Sequence, residues 1–213
     1  MLTSTLIRLG GVAAMVGGAA SATLGVLTLL VLGLKYDIPG TIEKAIQKGG
    51  WELPVANMLL IGALAAIVAL HALQRQRYGS GGTLAALAAF IGLVLLPVGW
   101  LVAVAWLETG PSFTPALLTA VLIVGVLAAC VGIVGLGVVT IIAGVLPRWC
   151  GVALIAGSPP GVGILFLFLS PLGMAGILPG EAVWELAGIP WIVVGYAIFR
   201  AAGRRIEQHP RVR

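Results

Sequence analysis

What this chain has least of is charge. Of its 213 residues, 9% are Asp, Glu, Lys or Arg, against 60% that are hydrophobic. A soluble domain carries about 25% charged residues. The deficit excludes a water-facing globular surface and makes lipid the main solvent. The two cysteines, Cys130 and Cys150, lie in or beside apolar runs. That excludes a secreted disulfide framework and leaves them as small buried apolar side chains. The two histidines, His71 and His209, are far apart, so no metal-ligand pair is visible. The chain has no Gly-x-Ser-x-Gly, no His-Glu-x-x-His, no P-loop and no Cys-x-x-Cys. No Ser or Cys has a basic partner at helical spacing, as nucleophilic catalysis needs. The residues therefore predict no enzyme, no cofactor and no metal site.

What is present is a series of long apolar runs, separated by short charged or Gly/Pro-rich breaks. About 20 apolar residues span the hydrocarbon core as a helix. Unpaired backbone groups are costly in lipid, so spans must be helices or closed barrels, and continuous rather than alternating runs favour helices. The expected fold is an all-α, single-domain transmembrane bundle of six spans, at about 9–34, 54–73, 83–107, 115–145, 149–169 and 181–201. The first run follows Arg8 as a signal peptide would, but it is too long for a signal core and reads as a retained span. Ala14, Gly18 and Ala22 give it a small-residue stripe, and the fourth run is lined with Gly and Ala, which marks it as the central helix. Between the first two runs, 41–48 reads either as an interfacial helix or as a solvated loop.

Six spans place both termini on one side. On that side fall Arg8, Arg75, Arg77, Arg148, Arg200, Arg204, Arg205, Arg211 and Arg213, nine of the twelve basic residues. Only Lys35, Lys44 and Lys48 fall opposite. Basic residues favour the cytoplasmic side, so both termini are expected there. This distribution also explains the net charge of +5 without nucleic acid as a partner. Every acid and base maps to a segment end or a loop, which counts against a proton pump with an intramembrane carboxylate relay.

The sharpest local feature is Ser158-Pro159-Pro160-Gly161, which cuts the fifth run in its middle. Two prolines remove helix donors and crowd the preceding turn. The break reads either as a substrate site built on freed backbone groups, or as a kink whose carbonyls are satisfied by Ser158 or a neighbouring helix. His71 stands one turn before Arg75, with Arg77 beyond. These three are candidate contacts for a lipid headgroup, or simply interfacial residues. Asn57, Thr119, Cys130, Thr140 and Ser158 are the polar groups within the spans, each read as a ligand or as a helix-to-helix contact. Glu181 and Glu185, with Glu108, read as an outer cation site or as acids favoured at a helix start.

Arg8–Gly17 aligns without gaps on Arg148–Gly157, with the Arg, the Gly-Val-Ala and the last Gly coinciding. This reads either as a parallel internal repeat or as two similar helix starts. The Arg-Leu-Gly-Gly at 8–11 and the Leu-Pro-Arg-Trp-x-Gly at 146–151 resemble patterns in small uncharacterised bacterial membrane proteins of about six transmembrane helices. That resemblance implies a multi-pass fold in the bacterial inner (cytoplasmic) membrane and no site residues. The expected function is non-enzymatic: an accessory or scaffolding subunit that packs against a membrane-protein partner or a second copy. The alternative is a small-solute or lipid carrier using the break at Ser158–Gly161, with a cavity beside Pro159 and Pro160.

Overall fold

The computed structural model describes residues 4–28, 30, 52–109, 115–169 and 185–208. The expected interfacial helix over 41–48 lies outside them, as do Glu181 and His209. Every regular element among the described residues is helical. Helix α1 is Ser4–Thr28. A run over Glu52–Thr109 is divided at Gly79 into α2 (52–78) and α3 (80–109). Then come α4, Pro115–Ala143, α5, Arg148–Ala156, α6, Pro159–Leu169, and α7, Gly188–Gln208.

Among the described residues, three stretches are long and apolar enough to cross a membrane: Ser4–Thr28, Val55–Val98 and Thr119–Ala143. The second has 44 residues, about twice what one crossing needs. Gly79, at φ 61 and ψ −153, reverses it. The arms then run back along each other, so that Ala63 and Leu60 share a cavity wall with Leu93 and Leu96. Only glycine adopts that backbone conformation without strain. The break expected between the spans ending at 73 and starting at 83 is thus a reversal at one residue, with Ser80, Gly81 and Gly82 already helical. Gly144, at φ 62, closes α4 before the chain turns into α5. At the other end of the chain α7 continues to Gln208, beyond the expected span end at 201. Arginines end a hydrophobic span without ending a helix.

The helices meet as antiparallel neighbours through glycine. The buried residues of α1 are Ile7, Gly10, Gly11, Ala14, Gly17, Gly18, Ser21, Leu24, Gly25 and Thr28. They recur at i, i+3, i+4 and i+7, a heptad that presents two adjoining faces. Gly10 and Gly17 face α2, at Ala65 and Met58, and Gly62 of α2 faces Ala13 in return. Gly11 and Gly18 face α7. A Cβ on Gly11 would stand 2.7 Å from the carbonyl of Gly195, and one on Gly195 would stand 2.5 Å from that of Gly11. Gly18 and Gly188 repeat the exchange two turns further on. The expected Ala14, Gly18, Ala22 row is therefore half of a broader pattern, and Ala22 is only half-buried.

Helix α4 joins the bundle in the same way. Gly92 of α3 lies on Ala129, and Ala89 lies under Gly132. Gly137 lies on Gly151 of α5, with the carbonyl of Gly151 2.8 Å from where its Cβ would be. Gly157 meets the ring of Pro190 on α7, which closes the circuit of helices. Inside sit Ile67, Leu70, Leu136, Leu154, Val194 and Ile198, all buried. Outside, large apolar side chains are bare, with Ile142 77% and Val131 69% exposed. Such a surface suits lipid, not water. The helix held by two close neighbours along most of its length is α1, rather than α4. Gly content alone does not reveal how glycines divide between faces.

The stretches aligned in the sequence also pack alike. Cys150, Gly151 and Leu154 are buried, as are Gly10, Gly11 and Ala14. Gly151 exchanges carbonyl contacts with Gly137 as Gly11 does with Gly195, and Gly157 rests on Pro190 as Gly17 rests on Met58. Each stretch is wedged between two antiparallel helices by glycines at matching positions.

Gly18→Ala would drive a Cβ against a backbone carbonyl that no side-chain rotation can relieve. We expect it to lower the stability of the detergent-solubilised protein by ~1–3 kcal/mol, as overpacking does. Gly163→Ala, where nothing lies within 4 Å, should be neutral or gain up to ~1 kcal/mol from helix propensity. Thermal unfolding of the two variants side by side checks this. Equal midpoints would remove the close-approach argument. Gly79→Ala meets nothing within 4 Å either, yet it should cost ~1–3 kcal/mol through backbone strain alone.

Candidate functional site

The break in the fifth run is a helix end followed by a helix start. Helix α5 stops at Ala156, and the Gly157 amide donates to the Ala153 carbonyl at 2.8 Å. Ser158 is the N-cap of α6. Its hydroxyl accepts from the Gly161 amide at 3.3 Å and donates to the Ile155 carbonyl at 2.5 Å. Pro159 takes the first helical position, where its missing donor costs nothing. Ser158 is fully buried and both roles of its hydroxyl are used. Gly161 lies against the carbonyls of Ile155 and Ala156, and Pro160 is exposed. Of the two readings of the break, the hydrogen bonds fit the one in which Ser158 satisfies the kink.

The break nevertheless shapes a void. A cavity of about 380 Å³ lies beside it, walled by Leu60 and Ala63 of α2, Leu93 and Leu96 of α3, Pro159 of α6 and Trp191 of α7. Gly157 and Pro97 also line it. Small-molecule sites commonly span ~300–1,000 Å³. Ala56 and Asn57 stand at its rim and are both exposed. Asn57 supplies the one amide side chain among the described lining residues, and Trp191 adds an indole N–H. Pro159 is the one member of the Ser158–Gly161 quartet that lines it. The wall is chemically an alkane-like surface with one amide at the mouth. It suits an apolar or weakly polar molecule, and offers nothing to a bare ion.

The other polar candidates disperse. Thr140 is buried on α4 and donates to Gln74 of α2 at 3.3 Å. Gln74, a residue that hydropathy alone passes over, is fully buried. Its Nε2 has no hydrogen-bond partner among the described residues. Its signal in the sequence was helical phase: it lies one turn beyond Leu70, on the inward face. Thr119 is exposed and Cys130 half-buried on α4. Asn57, Thr140 and Ser158 thus engage three separate neighbourhoods. Among the described residues, no three His, Cys, Asp or Glu side chains gather.

Among the described residues, no hydrogen bond or ion pair joins His71, Arg75 and Arg77 to one another. His71 Nδ1 pairs with the Tyr78 hydroxyl at 2.7 Å, across about two turns of α2 ahead of Gly79. Arg75 and Arg77 are exposed, and two residues apart on a helix they diverge by about half a turn. Glu185 is tied to α1: Thr28 donates to its Oε2 at 3.0 Å, and Ser21 donates to its backbone carbonyl at 2.7 Å. Ser21 and Thr28 are seven apart, in the same heptad position as Ala14.

Thr140→Val strands both ends of the Gln74 amide. We expect a loss of ~0.6–1.7 kcal/mol, the range for hydrogen bonds between membrane helices. Adding Gln74→Leu should restore most of it, because an apolar pair leaves no buried donor unmet. A double variant less stable than Thr140→Val alone would show that the amide has another task. No protein-family model, curated protein or solved structure matches this chain.

Proposed function

We propose that this chain is a six-span membrane protein that carries an apolar or weakly polar small molecule, lipid or lipid-like, through the cavity beside the broken helix. The observation that carries the proposal is that cavity, with Pro159 and Trp191 in its wall and Asn57 at its mouth. The six spans count α1, α2, α3, α4, the α5–α6 pair and α7. Helices α5 and α6, of 9 and 11 residues, are each too short to cross alone. Together they have the length of one crossing. The arginine distribution places both termini in the cytoplasm. The resemblance to small bacterial membrane proteins favours the bacterial inner membrane as the location.

The accessory-subunit reading drew on faces rich in Gly and Ala. Those faces are engaged within the chain: Gly11, Gly18, Gly92, Gly132, Gly137 and Gly151 all meet another helix of the same protomer. What remains outside is mostly branched and bulky, which suits lipid contact more than tight helix pairing. The carrier reading is therefore the stronger of the two.

The test starts with purification from native membranes in mild detergent, followed by mass measurement of the intact particle. We expect a bound small molecule in the wild type, lost in Ala56→Trp, which plugs the mouth at an exposed position. Pro159→Ala/Pro160→Ala, which favours one continuous helix, should abolish flux in reconstituted vesicles while expression persists. Wild-type flux in that double variant would sink the mechanism. A stoichiometric protein partner in place of the small molecule would return the chain to the accessory class.

A further inference from the structure

A second cavity, of about 560 Å³, lies at the arginine-bearing end of the bundle, on the far side of α7 from Trp191. It differs from the first in chemistry. Arg8 of α1 and Arg200 and Arg204 of α7 line it, with Trp149, Tyr196 and Phe199 between them. No acidic side chain is among its described lining residues. Three cations lining one void, with no acid among the described lining residues, make its potential positive and favour an anion there.

The arginines are placed, not merely present. The Arg8 guanidinium lies over the Phe199 ring, 5.1 Å from its centroid, and Arg200 lies over Tyr196 at 5.6 Å. Stacking holds a guanidinium flat and leaves its edge donors free to point outward. Arg8 reaches this position across Gly203, where a Cβ would stand 2.8 Å from its Nη2. Its Nε is buried and has no hydrogen-bond partner among the described residues. A buried, unanswered donor on a cation is costly. Helix α5 adds to the field: Pro147 and Trp149, at its start, line the same cavity, and its N-terminus has no side-chain cap. The positive end of that dipole faces the arginines.

We infer that this pocket binds the phosphate of an anionic phospholipid headgroup. Arg8, Arg200 and Arg204 hold the phosphate oxygens, and Trp149 and Tyr196 flank the glycerol region. Phosphate matches the guanidinium edge through paired N–H donors. Trp149 and Tyr196 are each nearly half exposed, at 46% and 47%, as aromatic rings at a membrane interface are. The void lies between helices, as headgroup pockets in membrane proteins do. The site is independent of the carrier cavity: it shares no lining residue with it and stands whether or not the first cavity carries anything.

The experiment uses the full chain in mild detergent, titrated with phosphatidylglycerol, phosphatidylcholine or inorganic phosphate, with the melting temperature and lipid adducts in intact-mass spectra as readouts. Phosphatidylglycerol should raise the melting temperature and add mass, and phosphatidylcholine should do neither. Arg200→Gln/Arg204→Gln changes two exposed side chains and should fold normally. Its apparent affinity for phosphatidylglycerol should fall about 30-fold, at roughly fivefold per basic residue removed. Gly203→Val, which displaces Arg8 without removing a charge, should also weaken binding. Arg75→Gln/Arg77→Gln carries the same charge loss elsewhere and should retain wild-type affinity. The proposal is overturned by equal affinity in the Arg200/Arg204 and Arg75/Arg77 variants, which would mark a general charge effect. Protection by inorganic phosphate without phosphatidylglycerol adducts would overturn the lipid assignment in favour of a soluble phosphate.

Discussion

The architecture depends on backbone meeting backbone. At Gly11–Gly195, Gly18–Gly188 and Gly137–Gly151, two antiparallel helices exchange contacts between a glycine Cα and the opposing carbonyl. In lipid there is little hydrophobic gain in pressing helices together, because the tails are as apolar as the side chains. Dispersion and weak Cα–H···O contacts have to do it, and both fall steeply with distance. Closest approach is then the main source of cohesion, and it is available only where Cβ is missing. The frame made of α1, α2 and α7 has these contacts along most of its length.

That dependence explains which parts of the fold were legible in the sequence. Composition sufficed for an all-helical membrane bundle. The paired glycines at 10–11 and 17–18, seven apart, were a visible heptad, in which the first of each pair faces α2 and the second α7. Reading only the i+4 row through Ala14, Gly18 and Ala22 captures one edge of it. The break at Ser158 to Gly161 was legible, with Ser158 as one partner for the freed carbonyls, and the hydrogen bond of Ser158 to Ile155 takes that form. The reversal at Gly79 was legible as a turn but not as a single residue, because four consecutive small residues, Gly79 to Gly82, conceal which one needs a positive φ.

A cavity beside Pro159 and Pro160 was expected only on the carrier reading, and the basic pocket was not legible at all, for different reasons. The apolar one is walled by Ala, Leu, Ile and Pro, the residues that would fill a packed core, so only helix placement separates a void from a core. The basic one joins Arg8 to Arg200 and Arg204 across nearly the whole chain. In the sequence each arginine already had a sufficient reason to exist, as a marker of the cytoplasmic side. His71, Arg75 and Arg77 looked more like a cluster because they are near in sequence, but helical phase separates the two arginines and Tyr78 occupies the histidine.

Where the bundle can move follows from where glycines lock it. A slide of α7 along α1 would break the contacts at Gly11–Gly195 and Gly18–Gly188 together, and would pull Glu185 away from Ser21 and Thr28. Interfaces of that kind are bistable at best and do not deform by degrees. Helix α6 is held differently. Its link to α5 is a capped break, its glycine at 163 has open space around it, and Pro160 and Ile164 face outward. A bend at Ser158 would therefore shift Pro159, one wall of the apolar cavity, more readily than Trp191 on α7. The basic pocket, built from α1, α7 and the start of α5, lies on the locked side of that bend. Movement at the first cavity need not disturb the second, because the two share no lining residue.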